Sequence, residues 1–151
     1  MTSWDEMAAE VPELARQVHE RFAAAKHATV ATLRADGAPR ISGTEVEFSD
    51  GQVWLGSMPG AVKARDLLRD GRFALHSPTS DPPKDAPSAW PGEAKLAGVA
   101  MEVSDPVLGA GAHRFRLALT EVVLTHVETG PDVLVVESWH PGRGYEVLRR
   151  A

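Results

Sequence analysis

The residue with the clearest chemical meaning is Lys63, a lysine in the first turn of a predicted short helix. It lies in the segment VWLGSMPGAVKARDLLRDGRFALHS, residues 53–77, which predicts a strand, a Gly-rich turn, a charged helix and another strand. A helix N-terminus already carries about half a positive charge and unpaired N–H donors, so a cation there is unfavourable unless an anion joins it. Ser57 can add a hydroxyl donor, and Gly56 and Gly60 let the backbone approach an anion closely. The pattern is typical of a phosphate site.

A second interpretation of Lys63 stays open from spacing alone. Lys63 and Asp66 are three residues apart, which places them on one helix face and allows a solvent-exposed ion pair. Under this interpretation the lysine is an ordinary surface charge.

The sequence lacks the motifs of catalysis by protein side chains. GSMPG does not match the GxSxG pattern of serine hydrolases, and there is no Walker or GxGxxG motif. The chain has no cysteine, and its six histidines lack metal-binding spacing, so no metal site is predicted. No catalytic residue is assigned, and the absences favour a bound cofactor that supplies the reactivity.

Aromatic residues offer weaker candidates. Trp54 and Trp90 can stack on a flat ring, but a strand tryptophan more often packs in a core or an interface. His76 can donate a proton or ligate haem, although a strand histidine is more often a structural hydrogen-bonding group.

The elements that position these residues begin with an N-terminal helix within residues 1–25. Apolar residues recur there at spacings of three and four, forming the stripe Met7, Val11, Leu14, Val18 and Phe22. Ser3 and Glu6 have the spacing of a capping box. Pro12 predicts that the helix is interrupted, or begins, at that position.

From His27 onward the hydrophobic period changes to two, which predicts strands. Asp36-Gly37 and Asp50-Gly51 predict tight hairpins. Residues 78–92 hold five prolines and predict a long exposed loop. The predicted strands are HATVATLR, RISGTEVEFS, QVWLGS, RFALHS, AKLAGVAMEV, FRLALTEVVLTHV and DVLVVESW. Such short connections favour a mainly β (α+β) fold, an antiparallel barrel with one short helix between strands 3 and 4.

Length and charge limit the classes of function. A chain of 151 residues predicts a single domain, residues 1–151. A net charge of -5 gives no electrostatic support for binding nucleic acid or an anionic membrane. The acidic N-terminus has no apolar run, so we expect neither a signal peptide nor a membrane span and predict a cytoplasmic location.

The order of several segments resembles one family. ATLRADGAPRISG, DGQVWLGS, KARDLLRDGRFALHS, LAGVAMEV and ESWHPGRG follow one another as in the FMN-binding split-barrel superfamily of pyridoxamine 5'-phosphate oxidase, which includes actinobacterial deazaflavin-dependent reductases. The resemblance covers residues 25–145. It implies a six- to seven-stranded Greek-key split barrel that forms a homodimer and holds two cofactors in grooves at the interface.

The resemblance also implies a set of cofactor-binding residues. Arg40, Ser57 and Lys63 match the family's strand arginine, hydroxyl and helix lysine at the flavin phosphate, and Trp139 and Arg143 match residues that the partner subunit contributes. Three other phosphate-binding positions differ, since a strand lysine is replaced by a glutamate and a helix Ser-Arg pair by apolar residues: Glu45, Ala61 and Val62. Fewer cations weaken the expected grip on a dianionic phosphate.

The resulting expectation is an oxidoreductase that uses FMN, or alternatively the deazaflavin coenzyme F-420, on a small organic substrate. The alternative is a non-catalytic FMN-binding or haem-handling protein of the same fold.

Overall fold

A computed structural model describes residues 2–105, 107–109, 111–130 and 132–151. The helices are α1 (Trp4–Glu10), α2 (Pro12–Ala23) and α3 (Val62–Arg69), with one 3-10 turn at Pro87–Ala89. The strands are β1 (His27–Leu33), β2 (Pro39–Ser49), β3 (Gln52–Ser57), β4 (Arg72–His76), β5 (Glu93–Glu102), β6 (His113–Glu128), β7 (Val133–His140) and β8 (Gly144–Arg150).

Six strands close an antiparallel barrel. They follow the order β3-β2-β1-β4-β5-β6, and β3 pairs with β6 to complete the circle. Strand β6 is 16 residues long, so its first part pairs with β3 and its last part pairs with β7. The prediction of a split barrel with a short helix between strands 3 and 4 is confirmed, and β7 and β8 extend the sheet outside the barrel.

Strand β8 goes beyond the seven strands that the sequence predicts. The HPGRG segment forms a turn at residues 141–143, and the chain then returns along β7. Six of the seven residues of β8 are exposed, so the strand lacks the apolar alternation that identifies a half-buried strand.

The predicted N-terminal helix is two helices, because α1 ends at Glu10 and α2 begins at Pro12. Pro12 occupies the first turn of α2, where its missing N–H costs no helical hydrogen bond. The predicted capping interaction at α1 is confirmed, because the backbone N–H of Glu6 donates to the Ser3 hydroxyl at 3.2 Å. Both helices turn the apolar stripe inward, and Met7, Val18 and Phe22 are buried with the barrel core. Each such side chain contributes about 1.5–3 kcal/mol on burial.

Tight turns set the register of the first three strands. Asp50 and Gly51 both have positive φ, 52° and 73°, as a two-residue hairpin requires. Gly37 at the β1–β2 turn has φ 87°. The predicted hairpins are therefore confirmed.

Gly98 permits a close approach between two strands. The β5–β6 register shifts between Ala97 and Gly98, and a Cβ added at Gly98 would collide with the carbonyl oxygen of Ala118. The backbone of β6 is therefore the reason that this position requires glycine.

Replacing Gly98 with alanine tests this packing constraint. We expect Gly98→Ala to lower the free energy of unfolding by about 1–3 kcal/mol, because neither backbone can move without breaking strand pairs. Chemical denaturation measures the change. Gly43→Ala is the matched control, since a Cβ there meets nothing within 4 Å and should leave stability nearly unchanged. Equal effects of the two substitutions would contradict the constraint.

Candidate functional site

One cavity of about 750 Å³ lies where β2, β3 and the start of α3 meet. The side chains and backbone that line it come from the first residue of β1, the middle of β2, the end of β3, the turn after it and α3: His27, Gly43, Thr44, Glu45, Val46, Glu47, Trp54, Gly56, Ser57, Met58, Pro59, Lys63 and Ala112. Two of the predicted binding residues, Ser57 and Lys63, therefore share one cavity.

Lys63 points from the first turn of α3 toward β2. Its Nζ donates to the backbone carbonyl of Gly43 at 2.9 Å. Burial lowers the pKa of the lysine, and the nearby carboxylate of Glu45 partly opposes that shift. No side chain caps the helix at Ala61, so the N–H groups of the first turn gain no side-chain partner there.

The ion pair between Lys63 and Asp66 that spacing allowed does not form. Asp66 is buried and accepts hydrogen bonds from Thr32, Arg40 and Arg69. The interpretation of Lys63 as one member of a surface ion pair with Asp66 is therefore wrong. The lysine binds the backbone of β2 at the cavity wall instead.

Ser57 ends β3 and lines the same cavity. Its hydroxyl makes only a long contact of 3.4 Å to the carbonyl oxygen of Met58. The hydroxyl can therefore turn toward a ligand at little cost in hydrogen bonding.

Two carboxylates also line the cavity, and each has a cationic neighbour. Glu45 lies 3.3 Å from Nζ of Lys26 and 3.9 Å from Nε2 of His27. Glu47 lies 3.6 Å from the guanidinium of Arg114. Glu45 is the position at which the resembling family has a lysine, and its presence in the wall changes the electrostatics of the site.

Arg40 lies outside the cavity lining. Its Nε donates to the Asp66 carboxylate at 2.7 Å, and Asp66 also binds the Thr32 hydroxyl and Arg69. Burial by itself raises the pKa of Asp66, but these hydrogen bonds outweigh it and lower the pKa to about 2. In this structure Arg40 joins β2 to α3, and the part of the prediction that places it at a phosphate stays untested.

Trp139 is buried, whereas Arg143 is exposed to solvent. Trp139 is 2% exposed, belongs to the core and donates from Nε1 to the Glu10 carboxylate at 2.6 Å. Arg143 lies in the β7–β8 turn, where its Nε is 3.5 Å from Glu146. The predicted contact of both residues with the partner subunit's cofactor stays a prediction.

The sequence did not predict that Arg114 packs behind the cavity wall, against Trp54. Its guanidinium lies 3.7 Å from the centroid of the Trp54 ring, and the indole N–H donates to the Ser49 carbonyl. Trp54 itself is 7% exposed and lines the cavity. The two residues are 60 positions apart, and only the β3–β6 pairing that closes the barrel brings them together.

The described residues provide neither a metal-binding cluster nor a membrane-spanning helix. They contain no cluster of three or more His, Cys, Asp or Glu side chains arranged to hold a metal ion. None of their helices combines the length and the apolar character needed to cross a membrane.

Solved structures share this fold at low sequence identity. The phenazine protein PhzG of Burkholderia lata, solved with tetrahydrophenazine-1-carboxylic acid, is 11% identical over 97% of this chain and 92% of its own, with a TM-score of 0.66. A pyridoxamine 5'-phosphate oxidase-related FMN-binding protein of Nostoc punctiforme is 10% identical over 93% and 96%, with a TM-score of 0.65. A heme-binding protein of Mycobacterium smegmatis is 15% identical over 95% and 88%, with a TM-score of 0.59.

These likenesses establish the fold. Neither a protein-family model nor a curated protein sequence matches the chain. The chain has the split-barrel fold of the pyridoxamine 5'-phosphate oxidase-like proteins.

The Asp66 network gives a stability prediction with a pH signature. We expect Asp66→Asn to lower the free energy of unfolding by about 3 kcal/mol, because it leaves the partly buried Arg40 without its buried counterion. Asp70→Asn, at the Asp70–Arg72 pair on the surface, is the matched control and should cost much less, because water screens that pair.

The pH dependence follows from the lowered pKa. The folded pKa of Asp66 is about 2, below that of an unfolded aspartate at about 3.9. The contribution of its charge is therefore complete above about pH 4 and disappears as the pH falls through about 2. Denaturation of the native chain and of Asp66→Asn from pH 7 to pH 2 measures this, and a difference between the two that does not shrink in acid would contradict it.

Proposed function

We propose that this protein is a homodimeric oxidoreductase that binds a flavin-type coenzyme, FMN or deazaflavin F-420, and acts on a small organic molecule. The observation that carries the proposal is that Lys63 and Ser57 line one cavity of about 750 Å³ in a split barrel. This volume is in the range of small-molecule sites. The FMN-binding protein of Nostoc punctiforme, which shares the fold over nearly its full length, supports the choice of coenzyme.

The donors of the cavity fit the anionic end of such a coenzyme. Lys63 uses one of its three N–H bonds on the Gly43 carbonyl, which leaves two for a ligand. Ser57 adds a hydroxyl that has only a long contact to Met58. The helix dipole of α3 acts in the same direction as the ammonium charge.

A bound flavin supplies two-electron redox chemistry at its ring. The residues of this chain bind and orient the coenzyme. Lys63 and Ser57 hold the anionic end, and Trp54, which packs against Arg114, forms part of the wall. Arg40 acts indirectly, since its bond to Asp66 fixes α3 and so the direction of Lys63.

The remaining predicted contacts depend on a second copy of the chain. Arg143 is exposed in the β7–β8 turn and can reach a partner's groove, whereas Trp139 is buried in the core of its own chain and bonded to Glu10. The proposal therefore gives Arg143 the main part in completing the site across the dimer.

An exposed apolar sheet face supports the homodimer. Cross-strand neighbours Ile41, Ala31, Ala74 and Ala97 lie on one face of β2, β1, β4 and β5 and line a shallow cavity of about 230 Å³. Ile41 is 75% exposed in the single chain. Burial of such a face in a dimer is favourable, and a large exposed apolar patch is typical of an interaction surface.

The second candidate is a haem-handling protein without redox turnover. The heme-binding protein of Mycobacterium smegmatis has the same fold, and His76 lies beside the apolar sheet face. In this structure Nδ1 of His76 is 2.7 Å from the Ser77 carbonyl and Nε2 is 3.3 Å from Glu93, so neither ring nitrogen lacks a polar neighbour. A Soret shift on addition of haem, with no response to either flavin, would favour this candidate.

Titration with coenzyme tests the main proposal. We expect FMN or F-420 to change absorbance and fluorescence on binding to the native protein, and Lys63→Ala to weaken that binding by about 1–2 kcal/mol through loss of a charge-assisted hydrogen bond. Arg65→Ala, an exposed cation on the same helix, is the matched control. Turnover of the bound coenzyme with NAD(P)H or reduced deazaflavin and an enone or quinone then separates an enzyme from a binding protein.

If neither coenzyme changes the spectra, the oxidoreductase proposal is wrong. If both variants bind like the native chain, Lys63 does not contact the ligand.

Sedimentation of an interface variant tests the dimer. We expect Ile41→Asp to raise the dimer dissociation constant at least tenfold, about 1.4 kcal/mol, because it buries a carboxylate in an apolar interface. Leu68→Asp makes the same change at a residue 53% exposed on α3 and should leave the assembly unaltered. A native chain that sediments as a monomer at all concentrations would refute the proposed dimer.

A further inference from the structure

The charged side chains around the cavity lie in ion pairs, with the exception of Lys63. Both carboxylates of the wall are already paired, Glu45 with Lys26 at 3.3 Å and Glu47 with Arg114 at 3.6 Å. Arg114 is shared with Asp105, whose carboxylate is 3.4 Å away. None of these cations therefore has its charge free for a ligand.

Lys63 differs from these cations in its partner. Its ammonium binds a neutral carbonyl, that of Gly43, and no carboxylate in the described ranges pairs with it. The side chain is partly buried, so its charge is less screened by water than that of a surface lysine. Among the cations beside the wall that the structure describes, Lys63 is thus the one without a carboxylate in ion-pair contact. Glu45, which is paired with Lys26, acts on Lys63 only from a longer distance.

Arg40, the other cation that the sequence assigns to an anion, is also committed. Its guanidinium neutralises Asp66, a carboxylate only 2% exposed, and does not line the cavity. Release of Arg40 toward a ligand would leave that buried carboxylate with the Thr32 hydroxyl and with Arg69 as its remaining cation among the described residues. Removal of one partner from a buried ion pair is strongly destabilising, so Arg40 stays with Asp66.

We infer that the cavity binds its ligand's anionic end as a single negative charge, a singly charged oxyanion such as a phosphodiester or a carboxylate, and does not favour a doubly charged phosphomonoester. The inference rests on the proposed function and specifies the ligand class at the same site. One oxyanion charge matches Lys63, while a second charge meets the carboxylates of Glu45 and Glu47. The arginine that the proposed dimer adds, Arg143, is itself paired with Glu146 and leaves that second charge unbalanced.

Three flavins that share one ring test the inference. Riboflavin is neutral, the monomethyl ester of FMN carries one charge, and FMN carries two at pH 8, where its phosphate is fully ionised. We expect the methyl ester to bind at least as tightly as FMN and at least fivefold more tightly than riboflavin, as measured by quenching of flavin fluorescence. A flavin whose side chain ends in a carboxylate extends the series and separates a preference for phosphodiester from one for carboxylate.

Substitutions in the wall provide the second test. We expect Glu45→Gln to strengthen FMN binding at least threefold relative to the methyl ester, because it removes a repulsive charge and releases Lys26. Glu45→Lys should increase the preference further. Glu128→Gln removes a carboxylate that pairs with Arg149 on the outer sheet and is the matched control, with no expected change.

The outcomes separate this inference from the proposed function. Binding of FMN tenfold or more tightly than its methyl ester, or equal binding of the ester and riboflavin, would overturn the single-charge site while leaving the flavin site intact. Failure of every flavin and of F-420 to bind would overturn the proposed function itself.

Discussion

The buried carboxylate of Asp66 holds together the part of the structure on which the site depends. It accepts hydrogen bonds from β1 through Thr32, from β2 through Arg40, and from Arg69 on its own helix. One turn earlier on α3, Lys63 binds the Gly43 carbonyl of the same strand β2. Two attachments, at positions three residues apart on each element, therefore fix both the location and the rotation of α3 against the barrel.

This arrangement divides two cations between different tasks. Arg40 binds Asp66 and so holds α3 against the barrel, whereas Lys63 lines the cavity. A buried ion pair contributes less to net stability than its geometry suggests, because both charges lose hydration, but it does define one arrangement of the elements that carry it. The electrostatic character of the cavity is thus a consequence of how the helix is attached.

Local patterns in the sequence were sufficient for the barrel and for part of the site. Period-two strands, Asp-Gly turns and the stripe on the N-terminal helices each depend on near neighbours, and all are present in the structure. Ser57 and Lys63 share one cavity because they flank a single short turn. The partners of Arg40 and Trp139 were not predictable in this way, since Asp66 is 26 residues from Arg40 and Glu10 is 129 residues from Trp139. Such pairs depend on register and on barrel closure, where a slip of one residue turns every side chain to the other face.

The hydrogen bond between Glu10 and Trp139 has a consequence for how the chain matures. As a ribosome makes the protein, the N-terminal helices emerge more than a hundred residues before the indole that completes their contact with the sheet. Their apolar stripe has no finished surface to cover until β6 and β7 have appeared. Contacts this distant along the chain slow folding, because the loop they close must be ordered first. The apolar stripe of the nascent polypeptide is therefore exposed during much of its synthesis. This is the interval in which a chaperone can bind it.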